Sequence, residues 1–170
     1  MTIARRHLAI AAFGLAAVVA AWLLLAGGAA RSVAPAVRYA LLDGSTLDTE
    51  QLKGKVVLVN FWATSCTTCV AEMPHIVAAH QKFKLRGYTT LAVAMSYDPP
   101  VFVSGFAESR KLPFGVAIDN TGAIARSFGN VQLTPTSFLI DKHGRVVKRY
   151  VGAPDFAALD ELVEQLLAET

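Results

Sequence analysis

Residues 56–74 read VVLVNFWATSCTTCVAEMP, an apolar run that ends in the only two cysteines of the 170-residue chain, Cys66 and Cys69, with Thr67 and Thr68 between them. Val56 to Trp62 are too continuously apolar and β-rich for a strand with one wet face, so they are expected to form a central strand buried on both sides. A helix is expected to start at or near Cys66. A thiol at a helix N-terminus meets unpaired backbone N–H groups and the positive end of the helix dipole, which favours thiolate over thiol. Cys66 is therefore the candidate nucleophile. Cys69, three residues on and one turn deeper on the same helix face, is the candidate second sulfur, within reach of the first but shielded from large partners. A structural disulfide closing so short a loop would constrain the unfolded chain little, and a four-cysteine zinc site lacks its second pair. The motif in this strand-to-helix setting points to dithiol redox chemistry.

The segment FWATSCTTCVAEMP resembles the active-site segment of the thioredoxin superfamily, and more narrowly that of its membrane-anchored TlpA/ResA/CcmG-like branch, whose members commonly read VNFWATWCxPCxxEMP. The match is carried by Asn60, Phe61, Trp62, Ala63, Thr64, Cys66, Cys69, Glu72, Met73 and Pro74. Two positions depart from it: Ser65 stands where a second tryptophan is usual, and Thr68 where a proline is usual. Both flank the reactive sulfur, so they bear on redox potential and partner surface more than on the chemistry.

The resemblance implies an α/β thioredoxin-like fold, with a central mixed β-sheet flanked by helices on both faces and an N-terminal β-hairpin extension. It also implies a cis-proline opposite the cysteine pair. Pro135 in VQLTPTSFLI (131–140) fits that place, with Thr134 before it. A cis peptide there exposes the Thr134 backbone to an extended client, so Thr134 and Pro135 are expected to bind substrate beside Cys66, with Trp62 packed beneath the motif. Thioredoxins proper usually carry a buried aspartate where Asn60 stands, and an amide takes up no proton at physiological pH. The matched glutamate of the TlpA/ResA branch is thought to assist the thiols, which makes Glu72 the candidate proton acceptor for Cys69. The competing reading of Glu72 is a solvated carboxylate that favours the helix dipole.

Outside this segment the chain divides into three. Residues 1–27 hold Arg5 and Arg6 followed by Leu8 to Ala26 without a charge; as a helix that run would be roughly 28 Å long, about one bilayer core. An N-terminal transmembrane helix with the rest of the chain outside the cytoplasm is expected from the preceding charges. A cleaved signal peptide competes, since Gly28-Ala29-Ala30 offers small residues for cleavage. Residues 28–36 read as a linker and 37–170 as the thioredoxin-like domain. With Arg5 and Arg6 set aside, 14 Lys and Arg oppose 13 acids, which gives no footing for nucleic-acid binding.

Within the domain, strands are expected over 37–42, 88–95, 115–118, 137–141 and 146–151, the last two as an edge hairpin. The cysteine helix is expected to reach about Lys84, interrupted at Pro74, with Ile76, Val77, Phe83 and Leu85 facing the sheet and His75 and His80 at the surface. Further helices are expected over 101–110, with Phe102 and Phe106 on the sheet, and 156–168, with Leu159, Leu162, Val163, Leu166 and Leu167 inward. His143 falls in the hairpin turn and is expected to be solvated.

The function expected from these features is thiol–disulfide exchange at Cys66 and Cys69 by an exported, membrane-anchored monomer without metal or cofactor. It would reduce disulfides of extracytoplasmic proteins, with a membrane thiol-transfer protein as electron donor and cytochrome c maturation as the leading pathway by resemblance. Two other classes share the fold. A copper-handling protein typically has three residues between its cysteines and a distal histidine, for which His143 or His75 would have to serve. A peroxiredoxin-type peroxidase wants a threonine three residues before its reactive cysteine, where this chain has Ala63.

Overall fold

The computed structural model describes residues 31–169; the apolar run 8–26 lies outside them. Seven strands alternate with four helices: β1 (Arg38–Ala40), β2 (Thr46–Asp48), β3 (Val56–Trp62), α1 (Thr67–Phe83), β4 (Tyr88–Ala94), α2 (Pro100–Ser109), β5 (Gly115–Ile118), α3 (Ala123–Ser127), β6 (Thr136–Ile140), β7 (Val146–Val151) and α4 (Phe156–Ala168). β1 and β2 form a separate antiparallel hairpin, and the other strands form one sheet in the order β5-β4-β3-β6-β7. β3 pairs parallel with β4, and β4 with β5; β6 runs antiparallel to both β3 and β7. The mixed sheet with an N-terminal hairpin is the expected thioredoxin-like arrangement. Among the described residues no helix is long and apolar enough to cross a membrane.

β3 is buried along its whole length, and its alternation divides the core in two. Val57, Val59 and Phe61 pack with Leu91, Val93, Phe138 and Tyr39, covered by Ile124 and Ala125 of α3. Val56, Leu58 and Trp62 point to the other face, where α1 supplies Cys69, Met73, Ile76 and Phe83 and α4 supplies Leu159, Val163 and Leu166. Asn60 is the one polar side chain of β3 and belongs by parity to the face that α1 covers. α4 has the expected bounds. Its N-cap is Asp155, whose carboxylate accepts hydrogen bonds from the N–H groups of Ala157 and Ala158 at 2.9 and 3.1 Å.

Several expectations are corrected. α1 runs through Pro74 as one helix. It ends at Phe83 in a one-turn 3-10 segment, Lys84–Arg86, which turns Leu85 out to 92% exposure. His80 is buried, not at the surface: it lies four residues after Ile76 and three before Phe83, on the inward stripe, between the rings of Tyr88 and Phe114. In α2 the inward residue is Val103, followed by the partly buried Phe106 and Ala107, so Phe102 falls one residue off the stripe and is exposed.

A further difference lies at the domain's start. Residues 31–34 pack onto the β6–β7 turn rather than forming a free tether: Ala34 N–H donates to Gly144 O at 2.8 Å, Val146 N–H donates to Ser32 O at 2.7 Å, and Val33 bridges Arg145. Beneath this contact Asp141, 1% exposed, accepts from the backbone N–H of His143 and of Arg145, from Arg145 Nε and from Arg31 Nη1, all at 2.9–3.0 Å. Burial alone would raise the Asp141 pKa; those hydrogen bonds outweigh it and hold the carboxyl below its usual range.

Removing a buried acceptor orphans its donors, so Asp141→Ala is expected to cost about 2–3 kcal/mol in urea denaturation, whereas Leu85→Asp should stay within about 0.5 kcal/mol of the parent.

Candidate active site

The first turn of α1 is built around sulfur. Cys66 is the N-cap residue, in extended conformation, and its Sγ accepts a hydrogen bond from the Cys69 N–H at 3.2 Å. The two cysteines are joined as a disulfide with their Cα atoms 5.2 Å apart. Cys66 is partly exposed and Cys69 is fully buried, so one sulfur is presented to solvent and its mate is enclosed, as the spacing predicts.

The antiparallel pairing of β3 with β6 brings the second element to this end of the sheet. Phe61 is the register partner of Thr136, so Pro135, one residue earlier, lies across from the end of β3 at Trp62. The Thr134–Pro135 peptide is cis. Pro135 O accepts from Gly152 N–H at 2.8 Å, while Thr134 forms no backbone hydrogen bond among the described residues. Thr134 is half-buried and its hydroxyl lies 3.2 Å from the Tyr97 hydroxyl. Trp62 is wholly buried, packed on Phe106 with ring centroids 5.0 Å apart. It therefore supports the motif from below and presents no surface of its own to a client, a correction to its expected place among the substrate-binding residues.

Glu72 is not a solvated carboxylate. Its side chain is buried, and burial pushes its pKa up to about 7 against the opposing effect of a hydrogen bond from Asn60. Asn60 Nδ2 donates to Glu72 Oε1 and to Ser137 Oγ, both at 2.9 Å. Glu72 Oε2 has no hydrogen-bond partner among the described residues. A buried carboxyl with one oxygen held and the other free is suited to gain and lose a proton near neutral pH.

Three contributors are not evident from the sequence. Asn60 reaches Glu72 and Ser137 because β3 and β6 pair it directly with Ser137. Asp98, buried after β4, accepts from the Thr64 N–H at 2.6 Å and from the Thr64 hydroxyl, which fixes the loop leading to Cys66. Tyr97 meets Thr134 from the same loop. The Asp98-Pro99-Pro100 turn signal marks this loop in sequence, but nothing local says what it touches.

The histidines do not gather here. His143 is exposed in the β6–β7 turn, at the far end of the sheet, and His75 is exposed on α1, stacked on Phe156 at 4.9 Å. Among the described residues no group of three or more His, Cys, Asp or Glu is arranged to hold a metal ion.

Comparison with known proteins agrees with this geometry. The Redoxin family model matches residues 29–165. The thiol-disulfide oxidoreductase ResA of Bacillus thuringiensis subsp. konkukian is 35% identical over 125 residues, covering 74% of this chain and 71% of that protein. ResA of Halalkalibacterium halodurans is 32% identical over 142 residues, covering 82% and 80%. Among solved structures, a thioredoxin-family thiol:disulfide interchange protein from Chlorobium tepidum superposes with a TM-score of 0.76 at 29% identity, covering 84% of this chain and all of that one. With its cysteine pair set at a helix N-terminus opposite a cis-proline, the chain belongs to the redoxin family of the thioredoxin superfamily, as a ResA/CcmG-like thiol-disulfide oxidoreductase.

Proposed function

We propose that this oxidoreductase works as a reductase of protein disulfides outside the cytoplasm, held at the membrane by residues 8–26. The observation that carries the direction of attack is the asymmetry of the pair: Cys66 reaches solvent and Cys69 does not. In the reduced enzyme, the Cys66 thiolate attacks one sulfur of a client disulfide lying along Thr134–Pro135. The client S–S bond breaks, a mixed disulfide forms, and the second client sulfur leaves as a thiolate that takes a proton from water.

The resolving step falls to the buried sulfur. Cys69 gives its proton to Glu72 Oε2 and attacks Cys66, breaking the mixed disulfide and releasing the client with both sulfurs reduced. Two electrons pass from the enzyme dithiol to the client, and the enzyme is left as the Cys66–Cys69 disulfide. A membrane thiol-transfer protein then returns two electrons. Apocytochrome c, whose cysteines must be free before haem attachment, is the leading client by family resemblance. The positive charges at Arg5 and Arg6 before an uncharged apolar run support the exported orientation.

Trapping tests the assignment of the two sulfurs. Cys69→Ala, expressed in its native compartment, should accumulate clients joined to Cys66; capture by Cys66→Ala instead would invert the roles. The direction of electron flow is read from the reduction potential, where a value near that of strong oxidants, about −120 mV, would overturn the reductase assignment.

Glu72 makes a separate, pH-dependent prediction. Its pKa is raised from 4.5 to about 7 on folding, so between those values the native state holds more protons than the unfolded chain. Its contribution to stability is full below about pH 4.5 and is lost as pH rises through 7. Glu72→Gln should remove that slope from denaturation measured at pH 5 to 8. The same variant should slow resolution of the mixed disulfide by about 10²-fold, with formation of the mixed disulfide little changed.

A further inference from the structure

Residues 96–100 read Ser-Tyr-Asp-Pro-Pro and join β4 to α2. Each of the two prolines fixes its own φ, so little backbone freedom remains between Asp98 and the first turn of α2. The base of the loop is tied as well: Met95 N–H donates to Trp62 O at 3.0 Å, and Asp98 N–H donates to Met95 O at 2.9 Å. The Asp98 side chain, 3% exposed, is thus carried on a stiff segment.

Both carboxylate oxygens of Asp98 are engaged by one residue. Oδ2 accepts from the Thr64 N–H at 2.6 Å and Oδ1 accepts from the Thr64 hydroxyl. Thr64 is the second residue of the turn that carries Cys66, which is closed by the Cys66 N–H on Ala63 O at 3.2 Å. A carboxylate is costly to bury unless hydrogen bonds satisfy it. What its charge contributes here is two short, strong bonds on Thr64.

One residue earlier in the same loop, the Tyr97 hydroxyl lies 3.2 Å from that of Thr134. Neighbouring residues therefore hold the turn of Cys66 and the segment of Pro135. The ladder between β3 and β6 ends at the pair Phe61 and Thr136, so Cys66 and Thr134 both lie beyond it. The β4–α2 loop touches the two segments where strand pairing no longer fixes them.

We propose that Asp98 is a positioning residue for the exchange: through Thr64 it fixes the turn of Cys66 against the Thr134–Pro135 segment, so that the sulfur meets a bound client disulfide in line. This inference rests on the reading of Cys66 as the attacking sulfur and of Thr134–Pro135 as the place where the client lies. Misplacing a reacting atom by about 1 Å costs about 10²-fold in rate, while the backbone that binds the client is left as it was.

Single turnovers of the reduced, full-length protein with excess synthetic peptide disulfide provide the test, through a maximal rate and a half-saturating concentration. Thr64→Val removes only the hydroxyl bond to Asp98, and Asp98→Asn leaves one acceptor in place of two. Each should lower the maximal rate by about tenfold or more, with half-saturation shifted less than about threefold. Thr64→Ser, which keeps the hydroxyl, should retain the wild-type rate within about twofold. Alkylation of Cys66 by iodoacetamide needs no client geometry, and its profile from pH 5 to 9 should be the same for wild type and Thr64→Val.

Unchanged maximal rates in Thr64→Val and Asp98→Asn would overturn the inference and leave the reductase reading standing. A wild type that reduces no peptide would overturn both. An alkylation profile displaced in Thr64→Val as far as the rate would mean that the bond acts on the ionisation of the sulfur. Equal impairment of Thr64→Ser and Thr64→Val would mean that the hydroxyl is not the group at work; either result overturns the inference. Should Thr64→Val and Asp98→Asn lose cooperative unfolding, the exposed Tyr97 decides. Tyr97→Phe should lower the maximal rate about threefold at unchanged half-saturation, and an unaltered rate would overturn the inference.

Discussion

The burial of β3 on both faces is the constraint from which the rest of the molecule follows. A strand with no wet side must be covered by helices on one face and by the hairpin and α3 on the other, and each face takes alternate side chains. That parity places Trp62 beneath α1 and turns Asn60 toward the same helix, where its amide meets Glu72. Shifting β3 by one residue against its neighbours would exchange the two cores and carry Asn60 away from the carboxyl that it holds. The chemistry at Cys66 thus depends on a register set several residues earlier by apolar packing.

Polar groups inside this core are few, and most are placed where they do something specific. Asn60 links β3, α1 and β6 through two hydrogen bonds of equal length, so Glu72 is oriented by the same amide that ties it to the strand following the cis-proline. Desolvation without a cationic neighbour holds the Glu72 proton near neutral pH, the range in which a thiol gives its proton away. An aspartate at position 60 would set a second carboxyl against the first and compete for that proton. The amide avoids this while still donating, which gives a physical sense to the Asn60–Glu72 pair in this chain.

What was legible in the sequence was local. Continuous apolarity marked β3, a cysteine after a strand marked the helix N-terminus, and the period of Leu159, Val163 and Leu166 marked α4. Pro135 could be placed only through family resemblance, because an X-Pro bond says nothing by itself about its isomer or what it faces. The misread residues are those whose face depends on where a helix begins or ends. Phe102 and Phe106 are four apart, yet α2 turns Val103 inward, and Leu85 lies beyond the last turn of α1. His80 was legible in principle, since it sits on the stripe of Ile76 and Phe83, but its polarity argued against an interior place. Contacts such as Asp98 with Thr64, or Ser32 and Ala34 with the β6–β7 turn, join residues 34 or more positions apart, and no periodicity encodes them.

The sheet also separates two kinds of work at its ends. The C-terminal ends of β3 and β4 and the start of the antiparallel β6 meet at one pole, which collects Cys66, Tyr97 and Thr134 from three distant parts of the chain. At the other pole, about 20 Å away along seven strand residues, Asp141 gathers Arg31, His143 and Arg145, and Lys142 Nζ donates to the carbonyls of Leu167 in the last turn of α4 and of Glu169 just beyond it. Here ion pairing and hydrogen bonding bind both ends of the described chain to one hairpin. The reactive pole is left with exposed apolar surface and backbone groups, the features that accept another polypeptide. Arg31 is thus fixed at the pole remote from the sulfur. The ion pairs at Asp141 and the placement of Cys66 at the opposite pole are thus two consequences of one strand order.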